Sequence, residues 1–386
     1  MVSSSFVPLP SEAGRPALNL IHREIVQLSV LILVAIAAFS VTRAVAANNR
    51  DMNRRDAAEW YRRGQEAIAA GRFDAAVDSF RRATVRDRDD RRYVLALARS
   101  LALSREDDAA HRVLLTLRES APEDPDVNLQ LARLAAARRD VTEAVRFYHN
   151  ALYAPWPADR ADAGRNVRIE LIRFLLASGQ ETQALPELLA LSADLPDDVV
   201  VRLEVAQLFA TAGDHAHALD QYQRVLRLAP ENGEALAGAG QAAFQLGEYP
   251  LARTYLRRAP AGSEAATNAR AVVDLVLSSD PLANRLGSAE RRRRLVADFS
   301  YAQERFGACL AQRSGGQPTS DELALLGEVR DFGDQLRPAI LEHDTIETGV
   351  DLIDRIGRLI ARNCGPATAL DQALVLIGRQ HGAGAP

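Results

Sequence analysis

A small alanine followed, four residues later, by a large apolar side chain recurs along this chain. The pair stands at Ala76/Phe80, Ala110/Leu114, Ala144/Tyr148, Ala184/Leu188, Ala218/Tyr222 and Ala252/Leu256. Successive alanines lie 34, 34, 40, 34 and 34 residues apart. Positions four apart share one face of an α-helix, so a fixed period near ~34 residues predicts stacked helix-turn-helix units. The stretches GRFDAAVDSFRRA (71–83) and GEYPLARTYLRRA (247–259) are one phrase repeated, five periods and a six-residue insertion apart. The insertion is expected in the loop that follows Pro155-Trp156-Pro157 and continues through 158–164. Pro122, Pro196 and Pro230 fall just past second helices, where a missing N–H and a ring clash end a helix.

Outside the repeats the pattern changes twice. Ile25 to Val41 is apolar apart from Gln27, Ser29 and Ser40, just long enough for a membrane span of ~17–25 residues. It predicts a transmembrane anchor over 25–45 behind an N-terminal tail, 1–24. Arg15 and Arg23 precede it, whereas Arg43, Arg50, Arg54 and Arg55 follow. The positive-inside rule alone would leave the larger part in the cytoplasm. A basic start, an apolar core and Ala44-Val45-Ala46 also resemble an export signal, with Arg43 ill-suited to a cleavage site. The reading carried forward is a single-pass anchor in the cytoplasmic membrane with the soluble part on the periplasmic side.

After the repeats, Ser263 to Leu277 reads as an amphipathic helix, with Ala266, Ala269, Val272, Val273 and Leu275 apolar. It is expected to cap the array, over 262–280, because a terminal unit must cover the exposed end. Beyond Pro281 the period is lost. A separate helical region is expected over 282–381, with helices at Ser288–Gln312, Thr319–His343 (bent at Pro338), Asp344–Asn363 and Pro366–Gln380. Thr319-x-x-Glu322 and Asp344-x-x-Glu347 have the form of capping boxes. Residues 1–15 and 382–386 are expected to be disordered.

The repeats resemble the tetratricopeptide-repeat (TPR) family. The first unit carries Trp60 and Gly64, then Gly71 and Phe73 at the turn, then Ala76, Phe80 and Ala83. The second carries Val94, Leu97, Ala98, Leu101, Ala110, Leu114 and Leu117. The sixth reads Leu236, Ala239, Gly240, Gly247, Tyr249, Ala252, Leu256 and Ala259. The first unit departs from the pattern at Arg63 and Ala67. The resemblance covers 57–261 and implies an all-α, right-handed superhelical solenoid of about six units. Small residues such as Ala98, Ala132, Ala206 and Gly240 would let helices approach closely.

Composition narrows the function classes. The chain has 386 residues with a net charge of −4, which argues against general nucleic-acid binding. All 47 basic residues are arginine. Cys309 and Cys364 are the only cysteines. In an exported domain they suggest one disulfide, and in a cytoplasmic one two buried thiols. His215 and His217 flank Ala216 and do not share a helix face, so no metal site is expected. Gly238-Ala239-Gly240-Gln241-Ala242-Ala243 matches a loose dinucleotide fingerprint, but lies inside a predicted helix rather than after a strand, so no cofactor is expected. The run Arg291–Arg294 reads as a solvated helix face ahead of a lipid or acidic-partner contact. No catalytic constellation is visible.

Gln65, Arg99, Arg133, Arg173, Gln207 and Gln241 hold one register position in six first helices. The resemblance implies that this position faces a concave groove where peptide partners bind. Tyr61, Leu95, Leu129, Ile169 and Leu203 form a parallel, mostly apolar row. Arginine can grip a carboxylate in paired hydrogen bonds, so an acidic peptide or C-terminus is the guest expected. The competing reading pairs these arginines with Glu170 and Glu204. The function expected is a non-catalytic, membrane-tethered scaffold or assembly factor. The alternatives are a permanent accessory subunit docking by its anchor and outer surface, and an enzyme with activity in the C-terminal helices.

Overall fold

The computed structural model describes residues 15–160, 162–260, 264–312, 319–364 and 367–382. Of the disorder expected for 1–15 and 382–386, all but Arg15 and Gly382 lies outside them. Every regular element among the described residues is helical. The first, α1 (Arg15–Ala69), is one helix of 55 residues, about 80 Å long at 1.5 Å per residue. The expected anchor and the first repeat helix are therefore a single element. No proline or glycine stands between Pro16 and Gly64 to interrupt it. Its apolar part is exposed along its whole length and is long enough to cross a membrane.

The repeats follow as antiparallel pairs. The end of α1 pairs with α2 (Phe73–Arg86), α3 (Arg91–Leu103) with α4 (Asp107–Ser120), and α5 (Pro125–Ala137) with α6 (Val141–Leu152). Three more pairs follow: α7 (Ala163–Ala177) and α8 (Glu181–Ser192), α9 (Val199–Thr211) and α10 (His215–Leu228), α11 (Gly233–Gln245) and α12 (Tyr249–Arg258). All six periodic alanines are 0% exposed, and their large partners are buried too. First helices start on Asp90, Asp124, Asp198 and Asn232, whose side chains accept from free first-turn N–H groups.

Between the two helices of each unit one residue is left-handed. These are Gly71, Arg105, Arg139, Gly179, Gly213 and Gly247, with φ between 61° and 79°. The six-residue insertion is not a plain loop. It contains a 3-10 turn (Ala158–Arg160) that aims Arg160 at Asp126 in two hydrogen bonds of 2.9 and 2.8 Å. The chain forms two compact units divided between Val167 and Arg168, within α7.

In the second unit, α13 (Glu264–Ser279) packs against α12 and leads into α14 (Ser288–Gln312), α15 (Ser320–Gln335), α16 (His343–Asn363) and α17 (Ala369–His381). A separate C-terminal region was expected, but one buried apolar cluster runs from Ile169 through Leu256 and Val276 to Ile377. The amphipathic α17 lies directly on α13, so α13 is itself covered. The expected helix Thr319–His343 stops at Gln335 rather than bending at Pro338, and Arg292 donates to the carbonyls of Leu336 and Pro338. The Thr319 capping box forms with Glu322. The one expected at Asp344 does not, because α16 begins a residue earlier, after Glu342. A further box joins Thr368 to Asp371.

Candidate functional site

In the first unit, Tyr61 and Gln65 stand one turn apart on α1, as do Leu95 and Arg99 on α3. The regular stacking of first helices turns this sequence register into a surface. A cavity of about 430 Å³ opens there, lined by Tyr61, Gln65, Ile68, Phe80, Arg92, Leu95, Ala96, Arg99, Asp126 and Gln130. A second, of about 360 Å³, is lined by Arg99, Arg105, Asp107, Gln130 and Arg133 together with apolar residues including Phe73, Leu103 and Leu134. Arg99 and Gln130 border both.

The electrostatics of this surface favour an anion. Arg92 and Asp90 neutralise one another through three hydrogen bonds of 2.6–3.1 Å; the pairing raises the Arg92 pKa and lowers that of Asp90. Asp126 is held by Arg160 in the same way. Arg99 is exposed and forms no ion pair or hydrogen bond among the described residues. A guest would meet its guanidinium with all five N–H donors free. Arg133 is also exposed, although engaged within the chain.

The apolar row needs correction. Leu129 and Ile169 are only 8% and 7% exposed, so they pack inside their units instead of lining a groove. In the second unit Arg173 is paired with Glu204, as the competing reading had it. Gln207 donates to Glu234, and Gln207 and Gln241 are half-buried. Arg92, Arg105, Asp126 and Gln130 line the cavities without belonging to the predicted register. Arg105 had a signal, since it occupies the place of a turn glycine; the others depend on how neighbouring helices stack.

The remaining candidates resolve into structural roles. Cys309, near the end of α14, and Cys364, just past α16, are joined as a disulfide with Cα atoms 5.4 Å apart. His217 stacks on Phe209 and pairs with the N-cap Asp214. Among the described residues, no three metal-ligating side chains cluster. A Cβ on Gly238 would overlap Tyr222, and one on Gly240 would come within 2.6 Å of Leu256, so the fingerprint glycines are packing positions. The arginine run is not a simple solvated face. Arg291 donates to the carbonyls of Leu286, Pro281 and Ala283, and Arg294 to those of Leu277 and Asp280. Only Arg293, paired with Glu290, stays mostly in solvent.

The family model for the tetratricopeptide repeat matches residues 61–110, 169–232 and 203–268. Over these stretches the chain carries tetratricopeptide repeats. Among solved structures, the TPR protein YrrB is 19% identical, over 47% of this chain and 91% of its own, at a TM-score of 0.37. Pseudomonas aeruginosa pilF is 17% identical, over 54% and 91%, at 0.40. The C-terminal part of a TPR repeat-containing protein from Cytophaga hutchinsonii is 13% identical, over 68% and 99%, at 0.42. A comparison with curated proteins finds no match. The candidate site lies among the first three repeats, mostly on their first helices.

Proposed function

We propose that the protein is a non-catalytic, membrane-tethered scaffold or assembly factor that holds an extended acidic segment of a partner protein. The observation that carries this reading is the pair of adjoining cavities in the first unit, with Arg99, unpaired among the described residues, on their shared border. Tyr61 and Leu95 supply apolar contact, and Gln65 and Gln130 supply donors and acceptors for a bound backbone. Arg99 supplies the charge that selects a carboxylate. Because Arg173 is already paired with Glu204, it supplies no free charge to this recognition.

Tethering is supported by the exposed apolar stretch of α1. The Cys309–Cys364 disulfide supports a soluble part in an oxidising compartment, such as the periplasm. Anchoring keeps the site within reach of other membrane-bound chains and raises their effective concentration.

The test is a photo-crosslinking side chain at Gln130 in the full-length protein in its own membrane. A discrete crosslinked partner is expected, and Arg99→Glu should reduce its yield at least ~10-fold, as loss of a charge-assisted contact implies. An undiminished yield with folded R99E would overturn the acidic-segment reading. Crosslinking confined to probes on the outward faces of second helices, such as at Ser79, would point to a permanent subunit docked by its outer surface.

A further inference from the structure

Where α13, α14 and α17 meet, the second unit buries a group of ionisable side chains that partner binding does not use. Asp298, on α14, is 6% exposed, and its Oδ2 has no hydrogen-bond partner among the described residues. Its surroundings are Ser279, Arg294 and a second buried carboxylate, Asp280. Arg294 spends its donors on Glu290 and on the carbonyls of Leu277 and Asp280. Asp280 accepts from the Leu282 N–H and meets the His381 imidazole, with Nε2 and Oδ2 3.1 Å apart. His381 is the last residue of α17, and Glu347 on α16 also acts on it electrostatically. One proton-accepting pair thus pins α17 to α13, beside a carboxyl group buried without a full set of partners.

We propose that this junction is a pH-sensitive latch, built from Asp298, Asp280 and His381, which holds the end of the array closed in acid and releases it as the medium approaches neutrality and beyond. The two groups of the junction that titrate act in the same direction. Asp354 on α16, buried against Gly378 of α17 and near Arg358 and Arg379, is likewise pushed up by burial. Burial pushes the Asp298 carboxyl up to about 7, so the closed form keeps a proton that the open, hydrated form gives up near ~4. The stability this contributes is complete below about pH 4 and is lost as pH rises through 7. The hydrogen bond to Asp280 raises the pKa of His381. Its contribution is complete below about 6.5, the ordinary value, and is lost as pH rises through the higher folded value. Asp371 opposes them only in strong acid. Burial pushes its carboxyl up, but hydrogen bonds from Arg305 and Thr368 outweigh this and leave it below the ordinary range. Release would uncover the buried faces of α13 and α17, including Val272, Val276, Leu374 and Ile377.

The measurement is amide exchange of residues 369–381 in the full-length protein in detergent, corrected for the intrinsic pH dependence of exchange. From Asp298 alone, protection should fall roughly thirtyfold between about pH 5.5 and 8.5, the ratio that a pKa near 7 implies. Asp298→Asn should remove most of that fall. His381→Gln should remove part of the remainder, the rest belonging to Asp354, and leave the Asp298 part. Protection in α10, in the same compact unit, should change far less. A flat wild-type profile overturns the latch whether or not the variants fold. An unchanged slope in Asp298→Asn, or an equal fall in α10, overturns it too, the last because opening would then be global.

Discussion

The left-handed residue at the turn of each repeat separates what a position demands from what the chain supplies. Four units place glycine there, which adopts positive φ without a Cβ clash. The second and third place Arg105 and Arg139 in the same conformation, at a cost of roughly 1–2 kcal/mol per residue. Arg105→Gly and Arg139→Gly should each stabilise the first unit by about 1 kcal/mol, less than the full steric term because glycine gains more freedom on unfolding. Chemical denaturation followed by circular dichroism would measure it, and a loss of stability would show that these side chains contribute more by packing than their backbone costs. Because Arg105 also borders the second cavity, R105G tests the site independently: weaker crosslinking from Gln130 in a more stable protein would assign its guanidinium to binding.

At the scale of elements, helix ends and cross-links decide how far local pattern extends. Pro338 and the arginines of α14 show this together: the proline ends one helix, and Arg292 satisfies the carbonyls left behind. The disulfide does related work by fixing the end of α14 to the end of α16 across 55 residues of sequence. Replacing both cysteines by serine should cost the second unit about 2–4 kcal/mol. Thermal unfolding with and without reductant would measure it; identical transitions for oxidised, reduced and doubly substituted protein would show the bond to be dispensable. Some of these element signals were legible in the residues. The Thr319 box and the bounds of α14 were, but the Thr368 box was missed because its third helical residue is Asp371 rather than Glu or Gln.

At the scale of the whole molecule, the repeats of the second unit and the C-terminal helices share one core. Residues 282–382 are therefore needed to finish the repeats' own packing. A chain ending after Pro281 would bare Val272, Val273 and Val276, which are almost completely buried in the intact protein. Each such side chain forfeits ~1.5–3 kcal/mol of burial when exposed. That truncation should aggregate or unfold in its last repeats, seen by size-exclusion chromatography and by loss of protection in α11 and α12. A soluble monomer with unchanged protection would instead make the C-terminal helices an independent domain.

The sequence by itself determined the repeats. Their period, the alanine–large apolar pairs and the span-length apolar stretch are consequences of local geometry, since positions four apart on a helix meet whatever lies elsewhere in the chain. It also placed Tyr61, Gln65, Leu95 and Arg99 on one surface, because register within a repeat is periodic. Only the tertiary structure decided which members of that register remain available. Leu129 and Ile169 are withdrawn by burial and Arg173 by Glu204, while Arg99 is left without a partner among the described residues. The meeting of Asp280, Asp298 and His381 was likewise invisible, because 101 residues separate the hydrogen-bonded pair Asp280 and His381. Contacts of that range depend on how whole helices pack, which no local period encodes.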